Sequence, residues 1–361
     1  MSAPSHASPS AGGRDGTGAR RVPVMLLVPL LVALVLFSAV LSTGFGAEPL
    51  APRIVLDVID HRLFGGASDP TYDAIVWDIR VPRTILAIVV GAGLAVAGTG
   101  IQTLVRNPLA DPYLLGVSSG AAVGATAVLT VGIFSGSGIW ALSLGALVGA
   151  LGAALLVFGI AMAQGGLTPL RLVLTGTVLS SAFSAFASFL VFRSADPQAA
   201  QSVLFWLLGS LSGASWDQLL LPTVVVATLS ALLLLGSGWL DALAAGADTA
   251  SALGVPVRAL RNALFVVLAV LVGVLVAVAG GIGFVGLVLP HIARLLVGAR
   301  HRAVLPVAAL AGALFLLWVD VAARVAVRPT EMPLSVVTGL VGAPVFLVLL
   351  GRGRYRFGSG S

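Results

Sequence analysis

Long apolar runs separated by short polar or arginine-bearing links dominate this chain. Runs able to cross about 30 Å of hydrocarbon fall at 24–44, 84–105, 113–134, 139–163, 171–192, 217–238, 262–280, 284–299, 303–327 and 334–351. The pattern predicts an all-α polytopic membrane protein with about ten transmembrane helices. The run at 284–299 is short, and the interrupted stretch 203–216 has the character of a re-entrant helix. Counts of nine or eleven spans fit the same pattern. Residues 1–21, rich in Ser, Ala, Gly, Pro and Arg, predict a disordered tail. The apolar stretch Val22–Val40 exceeds the roughly 7–15-residue core of a signal peptide and is expected to stay as the first span. The transmembrane domain then covers 22–352, and 353–361 form a C-terminal tail or an expression scar.

Charge sets the orientation. With ten spans both ends share a side, and the links on that side hold Arg14, Arg20, Arg21, Arg106, Arg171, Arg258, Arg261, Arg300, Arg302, Arg352, Arg354 and Arg356. Most acids fall in the opposite links, among them Glu48, Asp57, Asp60, Asp69, Asp73, Asp78, Asp196, Asp217 and Glu331. Positive residues stay inside, so both termini are expected in the cytoplasm of a multi-pass cell-membrane protein. A repeat agrees with this layout. Ala95-Val-Ala-Gly98, Pro108 and Gly116 recur 182 residues later as Ala277-Val-Ala-Gly280, Pro290 and Gly298, and Gly91 recurs as Gly273. Five spans separate the copies, so they cross in opposite directions. Such inverted repeats are a transporter feature.

Composition narrows the chemistry. Of 361 residues, 58% are hydrophobic and 9% charged, against about 25% charged in a soluble domain, which excludes an ordinary soluble enzyme. The net charge of +6 lies at the ends of apolar runs and reports topology, so nucleic acid is not an expected partner. The chain has no Cys, which excludes disulfides and thiolate metal sites. It also lacks Lys, which a P-loop ATPase needs; any ATP-driven motor must be another polypeptide. Gly281-Ile-Gly-Phe-Val-Gly286 matches a dinucleotide fingerprint but lies in an apolar run with no βαβ context. His291 has no second ligand near it, and no metal site or cofactor is expected on this chain.

Several motifs stand at the breaks between spans. Arg80-Val-Pro-Arg83 precedes one span, and Arg106-Asn-Pro-Leu-Ala-Asp-Pro112 with Gly116-Val-Ser-Ser-Gly120 follows it. Two prolines within five residues cannot sit inside one straight helix. Later come Gly283-Phe-Val-Gly-Leu-Val-Leu-Pro-His291 with Arg294, then Asp320 to Arg324, Glu331-Met-Pro, and Gly342-Ala-Pro-Val-Phe346. In order and spacing these motifs resemble the FecCD permeases over about residues 25–352. Those are membrane subunits of type II ABC importers for iron–siderophore complexes, haem and cobalamin. Ser335 departs from the Gly usual after Glu-x-Pro-x.

The resemblance implies a ten-span subunit that pairs with a second permease subunit, the same chain or a paralogue. It also implies two ABC ATPases carrying ATP and Mg, an extracytoplasmic substrate-binding protein, and the surrounding membrane lipid. An iron chelate, siderophore or haem, is the expected cargo, with cobalamin as the alternative. In the loop 240–261, with Gly246-Ala-Asp-Thr-Ala250 and Ala252-Leu-Gly254-Val-Pro256, Gly254 is expected to end a helix at positive φ, and the resemblance assigns ATPase coupling to Ala250, Leu253, Gly254 and Val255. Asn107, Leu109, Thr168, Pro169 and Leu170 become the cytoplasmic gate. Arg80, Arg83 and Arg324 become docking residues for carboxylates of the binding protein, expected to face outside at a water-exposed rim, a role that suits the bidentate guanidinium. Arg324 also stands four residues after Asp320, so an ion pair within one helix competes with docking. An ion-coupled carrier is the rival reading; it usually buries acids in its spans, and Asp320 is the clear candidate here. An intramembrane enzyme would need a His/Asp/Glu cluster or a Ser–base pair, which the sequence does not offer.

Overall fold

The computed structural model describes residues 22–46, 48–66 and 68–352. The expected tails, 1–21 and 353–361, lie outside the described residues. Within them the protein is helical, with no strand among the described residues.

The described chain begins with α1 (Val24–Ser42) and continues in the short helix α2 (Pro52–Phe64). Then come α3 (Pro70–Asp73), a π-helical turn (Ala74–Arg80) and α4 (Val81–Leu104), which form one continuous rod. The first half continues with α5 (Val117–Val131), α6 (Ala141–Ala163), α7 (Pro169–Arg193) and α8 (Pro197–Leu207). The remainder is α9 (Trp216–Leu235), α10 (Ser237–Ala245), α11 (Ala247–Ala252), α12 (Val257–Ala279), α13 (Val285–Val297), α14 (His301–Val325) and α15 (Leu334–Arg352). Among the described residues, seven helical runs are long and apolar enough to cross a membrane, and α5, α13 and Leu334–Leu349 of α15 are shorter apolar helices. At about 1.5 Å per residue, α13 with its 13 residues covers about 20 Å and does not bridge a bilayer by itself.

Local signals explain the boundaries. Proline occupies the first turn of α2, α4, α7 and α8, where its missing N–H costs nothing. Asp196 accepts the Gln198 N–H at 2.9 Å and caps α8. The stretch expected to re-enter the membrane is this helix, displaced about six residues toward the N-terminus, followed by an irregular strip at 208–215.

The core is organised around α4, whose residues are buried along most of its length against α9, α12, α13 and α14. Small residues set these distances. On α5 and α6, Gly120 faces Gly149 and Gly124 faces Gly145, backbone on backbone. With lipid outside as apolar as the helices, close packing replaces water-driven burial as the cohesive term. The 182-residue offset pairs α4 with α12, but its members differ in setting. Gly91 and Gly273 both sit inside helices, and Gly116 and Gly298 both adopt positive φ. Gly98 is inside α4 while Gly280 ends α12, and Pro108 is in a link while Pro290 is inside α13. The helices extend past their matched residues by different amounts, so matching letters do not mark matching places.

Candidate functional site

One end of the bundle carries the break after α4. Arg106 adopts φ 52°, Asn107 Oδ1 accepts the Leu109 N–H at 2.9 Å, and Asp111 Oδ1 accepts the Tyr113 N–H at 2.9 Å. Burial pushes the Asp111 carboxyl up to about 6, against the pull of that N–H. The Tyr113 hydroxyl donates to Ile282 O at 3.0 Å and accepts the Ile282 N–H at 2.8 Å, fastening this break to the link between α12 and α13. Of the dinucleotide-like glycines, Gly281 and Gly283 lie in that link and Gly286 in the first turn of α13, with no strand beside them among the described residues. Asn107, Leu109 and Leu170 are exposed. Thr168 caps α7 through the Arg171 N–H at 3.4 Å, and Pro169 opens the helix.

The loop 240–261 holds the end of α10, then α11 and the start of α12. Gly246, at φ 128°, separates α10 from α11. Ala250 is fully buried and accepts the Val255 N–H at 3.0 Å, while the Gly254 N–H donates to Ser251 O at 2.9 Å. Gly254 takes φ 79°, a left-handed terminator that glycine adopts without penalty. Leu253 projects outward, 68% exposed. This tip is anchored from behind. Asp241 Oδ1 accepts the His301 N–H at 2.9 Å and lies 2.6 Å from His301 Nδ1, and His301 Nε2 lies 2.7 Å from the Thr103 hydroxyl. One buried histidine therefore ties α10 to the start of α14 and the end of α4. Nearby, Gln102 donates toward Gly286 O and Leu287 O, and its carbonyl accepts from Arg294.

At the opposite end the three arginines expected at a wet rim are buried, 6–8% exposed. Arg83 Nε donates to Asp320 Oδ1 at 2.9 Å, and its two terminal nitrogens hold Glu331 bidentately at 2.7 and 2.9 Å. Arg324 Nε pairs with Asp320 Oδ2 at 3.0 Å, and its Nη1 donates to Phe45 O at 2.7 Å. Arg80 donates to Thr43 O at 2.8 Å and Glu48 O at 2.7 Å. This geometry corrects the picture of water-exposed contacts: each guanidinium is engaged inside the chain. The reason is solvation, since charges away from water must find paired or carbonyl partners. The α14 spacing of Asp320 and Arg324 announced one pair. The pairing of Glu331 and the contacts of His301, Asp241 and the Gln102 side-chain carbonyl gave no local signal, because those partners are 60 to 248 residues away.

Stacked apolar helices, broken spans with left-handed turns and a polar turn exposed at one end define a polytopic permease. The chain belongs to the FecCD transport family, whose profile matches residues 32–352, and it is an importer permease of the ATP-binding-cassette kind. It is 40% identical over 320 residues to the vitamin B12 import system permease protein BtuC of Salmonella paratyphi A, covering 89% of this chain and 93% of that one. Identity to the molybdate import system permease protein MolB of Haemophilus influenzae is 36% over 320 residues, covering 89% and 94%. A solved structure described as an inward-facing ABC transporter of the metal-chelate type superposes with a TM-score of 0.79 at 35% identity, covering 91% and 99%.

Proposed function

We propose that this chain is the membrane-spanning subunit that passes an iron chelate, siderophore or haem, from an extracytoplasmic binding protein into the cytoplasm. It does so along a path shared with a second permease subunit, the same chain or a paralogue. Two ATPase subunits carrying ATP and Mg drive the cycle from the inner side, where both termini lie. The observation that carries this reading is the coupling turn. A solvent-facing Leu253 stands on a helix ended by Gly254 and is braced through α10 and His301 to both α4 and α14. A push on that tip reaches two spans at once. Cobalamin is the second reading for the cargo, favoured by the similarity to the B12 permease.

In proteoliposomes holding the permease with its ATPase and binding protein, uptake should require ATP, and the permease by itself should hydrolyse none. Gly254→Val tests the turn. A Cβ there meets nothing within 4 Å, so the cost is backbone strain of about 1–2 kcal/mol. The variant should insert and purify normally yet lose most uptake and ATPase stimulation. Wild-type uptake by Gly254→Val would remove the coupling role.

The gate is proposed at Asn107, Leu109, Thr168, Pro169 and Leu170, all at inner breaks. With no native Cys, single cysteines at these positions should cross-link between subunits in one nucleotide state and not in the other. Cross-linking that ignores nucleotide would make them static packing. Docking is proposed to reach Arg80, Arg83 and Arg324 through Glu331, whose side chain is 34% exposed. A carboxylate of the binding protein then competes with Glu331 for the Arg83 fork.

A further inference from the structure

Helix α4 ends on a residue that its backbone does not favour. The Asn107 N–H donates to Gln102 O at 3.1 Å and the Arg106 N–H to Thr103 O at 3.3 Å, closing the helix through Arg106 at φ 52°. Glycine or asparagine is usual at such a left-handed end, because a Cβ is strained there. A long cation in this place costs the backbone and gains it nothing, so the advantage lies in the side chain.

That side chain crosses to the coupling loop. A Cβ built on Gly246, the buried residue between α10 and α11, would lie 3.5 Å from Arg106 Nη2 and 3.9 Å from Arg106 Cζ. Arg106 thus stands against the root of the turn that displays Leu253, and it directly precedes Asn107. A second guanidinium is close enough to repel it. Arg106 is the charge that acts on Arg261, in the second turn of α12, and no carboxylate offsets it. The Arg261 Nε is enclosed without a hydrogen-bond partner, and neither guanidinium makes an ion pair among the described residues. Arg258, exposed one turn earlier, lines a shallow recess with Ser251, Val255 and Pro256 beside the same turn. The first turn of α12 has no side-chain cap and no acid, so its partial positive charge adds to theirs.

The acids at this end do not answer these cations. Asp241 is held by His301, and Asp111 by the Tyr113 N–H. Asp248, in the first turn of α11, is exposed and pairs with no arginine among the described residues. Two neighbouring guanidiniums, one partly withdrawn from water, are costly until an anion lies between them. The arginines surround a turn whose tip, Leu253, is apolar and 68% exposed. A protein surface with carboxylates around an apolar socket meets both needs at once. A lipid phosphate would satisfy the cations and leave the tip unanswered.

We infer that Arg106 and Arg261, with Arg258 at the edge, seat a carboxylate of the ATPase subunit, which bridges the two guanidiniums. The contact joins the break at Asn107 to the coupling loop through one acid of the partner. The inference rests on the permease reading above and gives that partner's face its chemistry, acidic around an apolar socket.

The test is the association of the purified ATPase subunit with the full-length permease in nanodiscs of phosphatidylcholine alone. Binding is followed by interferometry at about 0.01, 0.1 and 1 M KCl, where charges are screened beyond roughly 30, 10 and 3 Å. Wild-type affinity should fall steeply with salt. Arg106→Gln/Arg261→Gln should weaken binding about tenfold at the lowest salt, the scale of two partly exposed ion pairs, and should flatten the salt dependence. Arg106→Lys/Arg261→Lys keeps the charge without the fork and should restore most of that dependence, which a structural role would not produce. Arg53→Gln/Arg193→Gln, an equal loss of charge at the opposite end of the bundle, should bind as the wild type does. A Lys pair no better than the Gln pair makes the arginines structural braces and overturns the inference. So does a Gln-pair defect that appears only when phosphatidylglycerol is added to the discs, which would give the site to a lipid. If the ATPase binds the wild type and is indifferent to the Gln pair, the permease reading stands and only the arginine assignment fails. If it does not bind the wild type at any salt, both fall.

Discussion

Asp320→Leu should leave almost no folded permease. Its carboxylate is 1% exposed and lies between Arg83 and Arg324, themselves 8% and 5% exposed. Removing it leaves two buried guanidiniums sharing the single carboxylate of Glu331. Breaking a buried ion pair by deleting one partner costs about 3–5 kcal/mol, a large share of the roughly 5–15 kcal/mol that holds a typical protein folded. Monodisperse protein recovered from membranes should fall steeply, and the melting midpoint of what remains should drop by many degrees. The double variant Asp320→Leu/Arg324→Leu should regain much of this loss, because Arg83 keeps Glu331 and no second cation is stranded. A melting curve for Asp320→Leu that overlays the wild type would dismiss the cluster as a structural brace.

The same cluster separates bracing from docking. Glu331→Gln removes the more exposed carboxylate and should cost less stability than Asp320→Leu, since Asp320 still holds Arg83 and the new amide oxygen can still accept from it. If a binding-protein carboxylate competes for Arg83, this variant should associate faster at low salt, where charge steering acts. Arg80→Glu/Arg83→Glu should associate more slowly, although part of its effect comes from lost internal bonds. Association rates that ignore Glu331→Gln at every ionic strength would confine these arginines to the interior.

Much of the architecture was legible because a membrane leaves few choices. Every backbone group must be satisfied within its own helix, so apolar runs of sufficient length announce spans, and the expected segments each meet a helix. Gly254 was legible for a related reason: a left-handed helix end demands glycine, and φ 79° is what the sequence Leu-Gly-Val-Pro suggests. Other features depend on three-dimensional meetings that spacing cannot encode. The arginines at 80 and 83 looked like rim residues because their carbonyl and carboxylate partners lie far along the chain. The His301–Asp241–Thr103 contact joins three elements, and none of the three residues stands in a motif.

Gly98→Val should be nearly as damaging as the loss of Asp320, through sterics alone. A Cβ built on Gly98 lies inside contact distance of Gly286 O, 2.6 Å from the Gly286 carbonyl carbon and 2.7 Å from its Cα. These are backbone atoms of α13, and they cannot rotate away as a side chain would. The start of α13 is also held by Gln102, whose amide reaches Gly286 O and Leu287 O at 3.4 and 3.3 Å, and by Pro112 packed beneath Gly286. Overpacking a tight interior costs about 1–3 kcal/mol where neighbours can adjust, and here two helices would have to part. Even Gly98→Ala should lower the melting midpoint, although Ala is the better helix former by about 1 kcal/mol. Gly152 on α6 provides the control, because a Cβ there meets nothing within 4 Å. Gly152→Ala should therefore be neutral or slightly stabilising. Since α13 begins at the link held by Tyr113 and Ile282, the Gly98 variants should also lower uptake per folded molecule. If Gly98→Ala and Gly152→Ala melt together, the contact between α4 and α13 is looser than the backbone spacing requires.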